Sequence, residues 1–125
     1  GKDITIISYS YTLQKALKAA EMLEKDGIDA EVVDLRTLSP LDTQTIIESA
    51  KKTGRVLITH EGVQNYGVGA EVAGVIGDSE AFFYLDRPIK RFGGDFIPIP
   101  YSPELEAQVV PQVETIYEKA KELLK

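Results

Sequence analysis

The residues best suited to chemistry in this sequence are the adjacent His60 and Glu61. An imidazole beside a carboxylate can move protons near neutral pH, which would suit general acid-base catalysis. No nucleophile stands near this pair in the sequence, so we expect both side chains to support a loop or a subunit contact. The chain has a single histidine and no cysteine, which excludes a histidine metal cluster, a thiolate site and a disulfide.

A glycine-rich segment follows that pair and carries Gly62, Gly67 and Gly69. Glycines between a strand and a helix can bind phosphate through backbone amides. The spacing fails as a dinucleotide fingerprint, because Val72 stands where the third glycine is required, and the sequence has no P-loop lysine followed by serine or threonine. A stand-alone small-ligand-binding module that uses this loop remains an alternative.

Composition narrows the class of protein and of partner. The 125 residues suit one globular domain, and 14 basic against 20 acidic side chains give a net charge of -6. That charge disfavours nucleic acid and anionic membrane as partners and favours a basic protein. The sequence has no apolar run of the roughly 20 residues that a membrane helix needs. We expect a cytoplasmic protein, or a mitochondrial matrix protein in a eukaryote.

The elements that must position these residues alternate between strands and helices. We predict strands over residues 4–9, 29–35, 55–60 and 89–92, and helices over 12–25, from the cap Asp42 to Gly54, over 68–76 and from Pro111 onward. Residues 97–103 contain three prolines and are predicted to be extended but outside a central strand. Repeated strand-helix units favour a single three-layer α/β/α domain over residues 1–125, with a small, mostly parallel sheet.

Aromatic residues cluster in the second half of the chain. Phe82, Phe83 and Tyr84 are consecutive, and Tyr66, Phe96 and Tyr101 lie elsewhere in the same half. Aromatic side chains beside charged residues can mark an interaction surface, although core packing competes with that interpretation. We expect about two of these aromatic residues in the core for each one at an interface.

Several segments together resemble one family. The sequence DLRTLSPLD at 34–42 is similar to the signature of the transketolase carboxyl-terminal domain in beta subunits of 2-oxo acid dehydrogenases. In the same order, GKDIT at 1–5, THEGVQNYGVGAE at 59–71, YLDRP at 84–88 and PIPYSPEL at 98–105 resemble those subunits. The form YGVG at 66–69 resembles the pyruvate type more than the branched-chain type.

The resemblance implies a domain for assembly and docking that is not catalytic by itself. It implies a mixed sheet flanked by helices, and it implies that the amino-terminal cofactor-binding domain of the subunit is absent from this chain. Thiamine diphosphate and magnesium would belong to the complete enzyme and not to this domain. The implied partners are the alpha subunit, a second beta subunit and the subunit-binding domain of the dihydrolipoyl acyltransferase.

The resemblance also carries over site residues. Asp86 matches the family's acidic residue that meets an arginine of the subunit-binding domain, although Arg87 follows it here where a small residue is more usual. His60, Glu61, Tyr66, Gly67 and Gly69 are the candidates for a subunit interface. The corresponding domain of transketolase or of 1-deoxyxylulose-5-phosphate synthase is the alternative from the enzyme class.

Overall fold

The computed structural model describes residues 2–8, 11–34, 43–59, 66–92 and 113–125, with only the backbone of residues 11, 66–70 and 92. In chain order its strands and helices are β1 (Ile4–Ser8), α1 (Tyr11–Lys25), β2 (Ala30–Asp34), α2 (Thr43–Thr53), β3 (Val56–Thr59), α3 (Tyr66–Gly77), a 3₁₀ helix (Glu80–Tyr84), β4 (Lys90–Phe92) and α4 (Val113–Leu123). The predicted cap Asp42, the proline-rich segment 97–103 and the helix start at Pro111 lie outside the described residues.

The described strands form one parallel sheet in the order β2-β1-β3-β4. Ile6 pairs with Val32 on one side and with Leu57 on the other, and Leu57 pairs in turn with Lys90. A strand buried on both faces needs apolar residues without alternation, and the run from Ile4 to Ser8 is buried throughout. The α/β class and the parallel connections are confirmed.

Two apolar layers hold the helices against opposite faces of the sheet. The layer under α1 and α4 consists of Ile4, Ile6, Ala16, Ala19, Leu23, Leu57, Ile116, Ala120 and Leu123. The layer under α2, α3 and the 3₁₀ helix consists of Ile7, Val33, Ile46, Ala50, Val56, Ile58, Val72, Ile76 and Ala81. The domain is therefore three layers deep, as predicted.

Glycines end two of the helices in the left-handed conformation. Gly27, after α1, has φ +79°, and Gly54, after α2, has φ +70°. Side chains other than glycine are strained at these angles, so glycine is favoured where the chain leaves a helix and turns into a strand. The sequence predicted both helix ends at these residues.

Candidate docking surface

Asp86 lies on the turn between the 3₁₀ helix and β4. Its backbone N–H donates a hydrogen bond of 2.7 Å to the carbonyl oxygen of Gly54. Its Oδ2 lies 3.7 Å from Nη2 of Arg55, and 61% of its side chain is exposed. Because Gly54 and Arg55 directly precede β3, Asp86 lies at the amino-terminal edge of the sheet, and most of its side chain faces solvent. The hydrogen bond to Gly54 fixes the backbone of Asp86, and its exposed carboxylate can accept a charged hydrogen bond from a cationic partner.

Gly54 sets how closely this turn approaches α2. A Cβ at residue 54 would lie 2.9 Å from the carbonyl oxygen of Tyr84 and 3.0 Å from Oδ2 of Asp86. Real Cβ atoms are essentially never found closer than 3.0 Å to another heavy atom, so a side chain here would push the backbone of Tyr84 away. From the sequence, Gly54 was predicted only as a helix end, and its role in positioning Asp86 was not predicted.

The 3₁₀ helix before Asp86 is fixed by polar contacts at its amino-terminal end. Ser79 caps it, with its Oγ accepting a hydrogen bond from the Ala81 backbone N–H at 3.1 Å and donating one to the carbonyl of Ile76 at 2.8 Å. Lys51 on α2 donates to Glu80 at 2.9 Å. That hydrogen bond raises the pKa of the Lys51 ammonium. The helix is therefore held to both α2 and α3 by polar contacts as well as by burial of Ala81.

The aromatic residues of the 3₁₀ helix point outward. Phe82 is 56% exposed, Phe83 84% and Tyr84 53%. For these three residues the prediction of mostly core packing is wrong, because Ala81 is the residue of this short helix that faces the core. The Phe82 and Phe83 rings pack edge to face, with centroids 5.7 Å apart, and Lys51 Nζ lies 5.0 Å from the Tyr84 ring centroid. Phe96 and Tyr101 lie outside the described residues.

The carboxyl-terminal end of α4 lies at the same end of the domain as Asp86. Glu122 on α4 forms an ion pair with Lys90 at the start of β4, with 3.8 Å between Oε2 and Nζ. Lys90 follows Asp86 by four residues. At the other side of α4, Asp26 accepts hydrogen bonds from Tyr117 and Lys121, and the one from Tyr117 chiefly lowers the pKa of Asp26.

A polar network that the sequence did not predict ties the central strand β1 and the edge strand β2 to α2. The buried Oγ1 of Thr5 lies 2.8 Å from both Ser49 Oγ and Thr53 Oγ1. Ser49 donates in turn to Glu31 of β2, which also accepts from Lys52 at 2.5 Å. Burial raises the pKa of Glu31, but the hydrogen bonds from Lys52 and Ser49 outweigh that effect and leave the pKa lowered.

The predicted subunit-interface residues are only partly described. His60 and Glu61 lie outside the described residues. Tyr66, Gly67 and Gly69 belong to the first turn of α3, which begins two residues before the predicted start at residue 68. Glycine disfavours a helix by about 1 kcal/mol, but burial of Val72 and Ile76 against the sheet offsets that cost. The backbone places this turn at the carboxyl-terminal edge of the sheet, opposite Asp86.

The described residues offer no metal or membrane site. Within these ranges no three histidine, cysteine, aspartate or glutamate side chains lie close enough to hold a metal ion. No helix among the described residues is long and apolar enough to cross a membrane.

Known proteins resemble this chain over nearly its full length. It is 49% identical to the mitochondrial "Pyruvate dehydrogenase E1 component subunit beta" of Pisum sativum, over 97% of this chain and 33% of that protein. It is 44% identical to the corresponding mitochondrial protein of Saccharomyces cerevisiae, over 99% of this chain and 34% of that protein. The protein of the same name from Rickettsia conorii is 44% identical over 98% of this chain and 37% of its own length. The chain spans about a third of the length of these curated relatives.

Solved structures and a protein family also resemble this chain. The structure "Split gene transketolase, inactive beta4 tetramer" superposes with a TM-score of 0.81 and 31% identity, over 99% of this chain and 40% of that one. A diflavin flavoprotein A3 from Nostoc sp. superposes with a TM-score of 0.53 at 15% identity, over 99% of this chain and 92% of that one, and shows the fold alone. Residues 1–116 match the family "Transketolase, C-terminal domain". This chain therefore belongs to the transketolase C-terminal domain family, and its relatives include beta subunits of the pyruvate dehydrogenase E1 component.

Proposed function

We propose that this chain is the assembly and docking domain of the beta subunit of a pyruvate dehydrogenase decarboxylating component. The observation that carries the proposal is the identity of 44% to 49% to three such subunits over nearly the whole chain. The split-gene transketolase is less similar, at 31%. The pyruvate-type subunit is therefore favoured over the transketolase alternative.

The complete enzyme would convert pyruvate and the oxidised lipoyl arm of the acyltransferase into an acetyl-dihydrolipoyl group and carbon dioxide. Thiamine diphosphate with magnesium would supply the decarboxylation chemistry in the rest of the protein. We assign no cofactor-binding residue to this chain, and its proposed contribution is structural. The names of the plant and yeast relatives support a mitochondrial location in a eukaryote, and a bacterial protein would be cytoplasmic.

The docking role belongs to Asp86. Its carboxylate is mostly exposed, and its backbone is anchored to Gly54. A charge-assisted hydrogen bond from an arginine of the acyltransferase subunit-binding domain would find this carboxylate already positioned. The net charge of -6 supports attraction of a basic partner. Arg87 would oppose such a partner, so its removal should favour binding.

The assembly role belongs to the opposite edge of the sheet. The first turn of α3 carries Tyr66, Gly67 and Gly69 there, and His60 and Glu61 follow β3 directly in the sequence. We assign these residues to contacts with the alpha subunit and the second beta subunit. The domain would then dock the acyltransferase at one edge and hold its own enzyme together at the other.

The first test is catalytic. The isolated chain, supplied with pyruvate, thiamine diphosphate and magnesium, should release no carbon dioxide above the rate without protein. The complete enzyme, assembled from both subunits, is the positive control. Release of carbon dioxide by the isolated chain would contradict the proposal.

The second test concerns docking. In the complete assembled enzyme, Asp86→Asn should weaken binding of the acyltransferase subunit-binding domain by roughly 10- to 100-fold, since charged hydrogen bonds contribute about 1.5–3 kcal/mol. Glu118→Gln, which removes an exposed carboxylate from α4, is the matched control and should leave the affinity unchanged. Isothermal titration calorimetry measures both. Equal affinities for the wild type and Asp86→Asn would remove Asp86 from the docking surface.

A further inference from the structure

The edge strand β2 is bordered by a groove on each face of the sheet. One groove, of about 550 Å³, lies between β2 and α2, and the other, of about 480 Å³, lies between β2 and α1. Among the described strands, β2 pairs only with β1. β2 and the two grooves together form the β2 edge. We propose that the β2 edge binds an extended, basic segment of a partner protein as an additional strand.

β2 is more exposed than β1 and β3. Those two strands are buried along their whole length, whereas in β2 only Val33 is buried and the other four residues are partly exposed. An edge strand presents backbone N–H and C=O groups with which a further strand can pair. In peptide recognition of this kind the backbone supplies affinity, and grooves for alternate side chains supply specificity.

The two grooves lie on opposite faces of the sheet, as the side chains of an added strand require. Successive side chains of a strand point to opposite faces. Within β2, Val33 packs against the layer under α2, and Ala30 and Val32 pack against the layer under α1. The added strand would alternate in the same way, so its side chains would enter the α2 groove and the α1 groove in turn.

The grooves differ in the side chains that they suit. Leu17, Ala20 and Ile28 line the α1 groove, and Leu17 is 42% exposed. The α2 groove is lined by the hydroxyl residues Thr45 and Ser49 together with several carboxylates. Apolar side chains would bury surface in the α1 groove, whereas lysine or arginine would find charged acceptors in the α2 groove. The expected ligand therefore alternates basic and apolar residues.

Charge selects a basic partner and disfavours a second copy of the chain. Among the described residues that line the two grooves, six are acidic and only Lys52 is basic; the acidic residues are Glu21, Glu24, Asp29, Glu31, Asp34 and Glu48. Lys52 itself donates a hydrogen bond to Glu31. Two such edges would repel each other, whereas a lysine-rich or arginine-rich strand would be attracted.

Binding of a designed peptide to the chain tests the proposal. The peptide is capped at both ends, is about seven residues long and alternates lysine with valine, so that it covers the five residues of β2. A scrambled peptide with its lysines grouped together keeps the charge and loses the alternation. In a titration followed by amide NMR shifts, we expect a dissociation constant below about 1 mM for the alternating peptide and one at least about tenfold higher for the scrambled peptide. The amides of residues 30–34 should show the largest shifts and slower hydrogen exchange.

Charge reversal tests the two grooves. Glu48 lines the α2 groove and Glu21 the α1 groove, and both side chains are exposed, so their replacement should leave the chain folded, as circular dichroism verifies. Glu48→Lys and Glu21→Lys together should raise the dissociation constant at least about tenfold, because each reversal replaces an attraction by a repulsion. Glu71→Lys with Glu118→Lys is the matched control, since it makes the same change of charge at exposed residues outside both grooves and should leave the affinity unchanged.

Several outcomes would overturn the proposal. These are no binding of the alternating peptide below about 1 mM, equal affinities for the two peptides, and shifts confined to residues outside the β2 edge. Self-association of the chain in competition with the peptide would also overturn it and assign the β2 edge to a second copy. The inference does not depend on the proposed function, because Asp86 precedes β4 at the opposite edge of the described sheet and is unchanged in every variant. Loss of docking at Asp86 would therefore leave this proposal intact.

Discussion

Replacing Gly54 by alanine should destabilise the domain far more than the same change at Gly27. Both glycines follow a helix at positive φ, +70° at Gly54 and +79° at Gly27. The two glycines differ in the atoms that surround them. A Cβ at residue 54 would lie 2.9 Å from the backbone oxygen of Tyr84 and 3.0 Å from the carboxylate of Asp86, whereas a Cβ at residue 27 would meet no atom within 4 Å. The pair therefore separates backbone strain from steric overlap.

The expected magnitudes follow from these two contributions. Forcing an L side chain into the left-handed region costs about 1–2 kcal/mol, and that is the whole cost at Gly27. At Gly54 the overlap adds about 1–3 kcal/mol, because a backbone carbonyl cannot move away as a flexible side chain can. Displacement of the turn would also strain the 2.7 Å hydrogen bond between Asp86 N–H and the Gly54 carbonyl. We expect Gly54→Ala to cost about 2 kcal/mol more than Gly27→Ala.

Urea unfolding followed by far-ultraviolet circular dichroism measures this difference. Thermal unfolding gives a second measurement. For a chain of this length, 1 kcal/mol of unfolding free energy shifts the melting temperature by roughly 4 °C, so the two variants should melt roughly 8 °C apart. Docking of the subunit-binding domain should weaken in Gly54→Ala alone, since only that variant moves Asp86. Equal stability losses in the two variants would refute the claim that Gly54 is required for the close approach of the turn.

Two further predictions concern the polar network under α2. Thr5→Val should lower the free energy of unfolding in urea by about 1–3 kcal/mol, because it leaves the buried hydroxyls of Ser49 and Thr53 without their shared partner. Thr5→Ser keeps the hydroxyl and should cost less. An equal loss in both variants would contradict this. Because the pKa of Glu31 is lowered in the folded state, its contribution to stability is present above its usual value of 4.5 and is lost as the pH falls through the lowered pKa. Denaturation of the wild type and of Glu31→Gln between about pH 7 and 3 measures the difference in their free energies of unfolding. This difference should be constant near neutral pH and shrink below about pH 4.5. A difference that grows on acidification would refute the prediction.

The candidate site shows where prediction from sequence ends. Asp86 was predicted by resemblance to a family motif, and the structure adds its exposure and its anchoring at Gly54. The aromatic prediction was wrong for Phe82, Phe83 and Tyr84, because sequence alone does not show which face of a short 3₁₀ helix packs inward. Ala81, the smallest residue of that helix, faces the core.

The boundary of α3 was misplaced for a related reason. Glycine favours turns in an isolated chain, so the helix was predicted to begin only at residue 68, after Gly67. In the folded domain, burial of Val72 and Ile76 stabilises the helix, and the first turn extends back to Tyr66. Packing therefore outweighed the low intrinsic helix propensity of glycine.

By itself the sequence determined the class and the order of the elements, because hydrophobic spacing is a local property of strands and helices. Each of these local signals can be recognised within a few residues of sequence: the apolar run from Ile4, the helical spacing in α1, and the glycines at 27 and 54. Tertiary structure alone decided which side chains meet across long separations. Thr5 reaches hydroxyls 44 and 48 residues away, and Gly54 accommodates a turn more than 30 residues later. Such contacts depend on how the layers stack, and no local pattern in the sequence encodes that stacking.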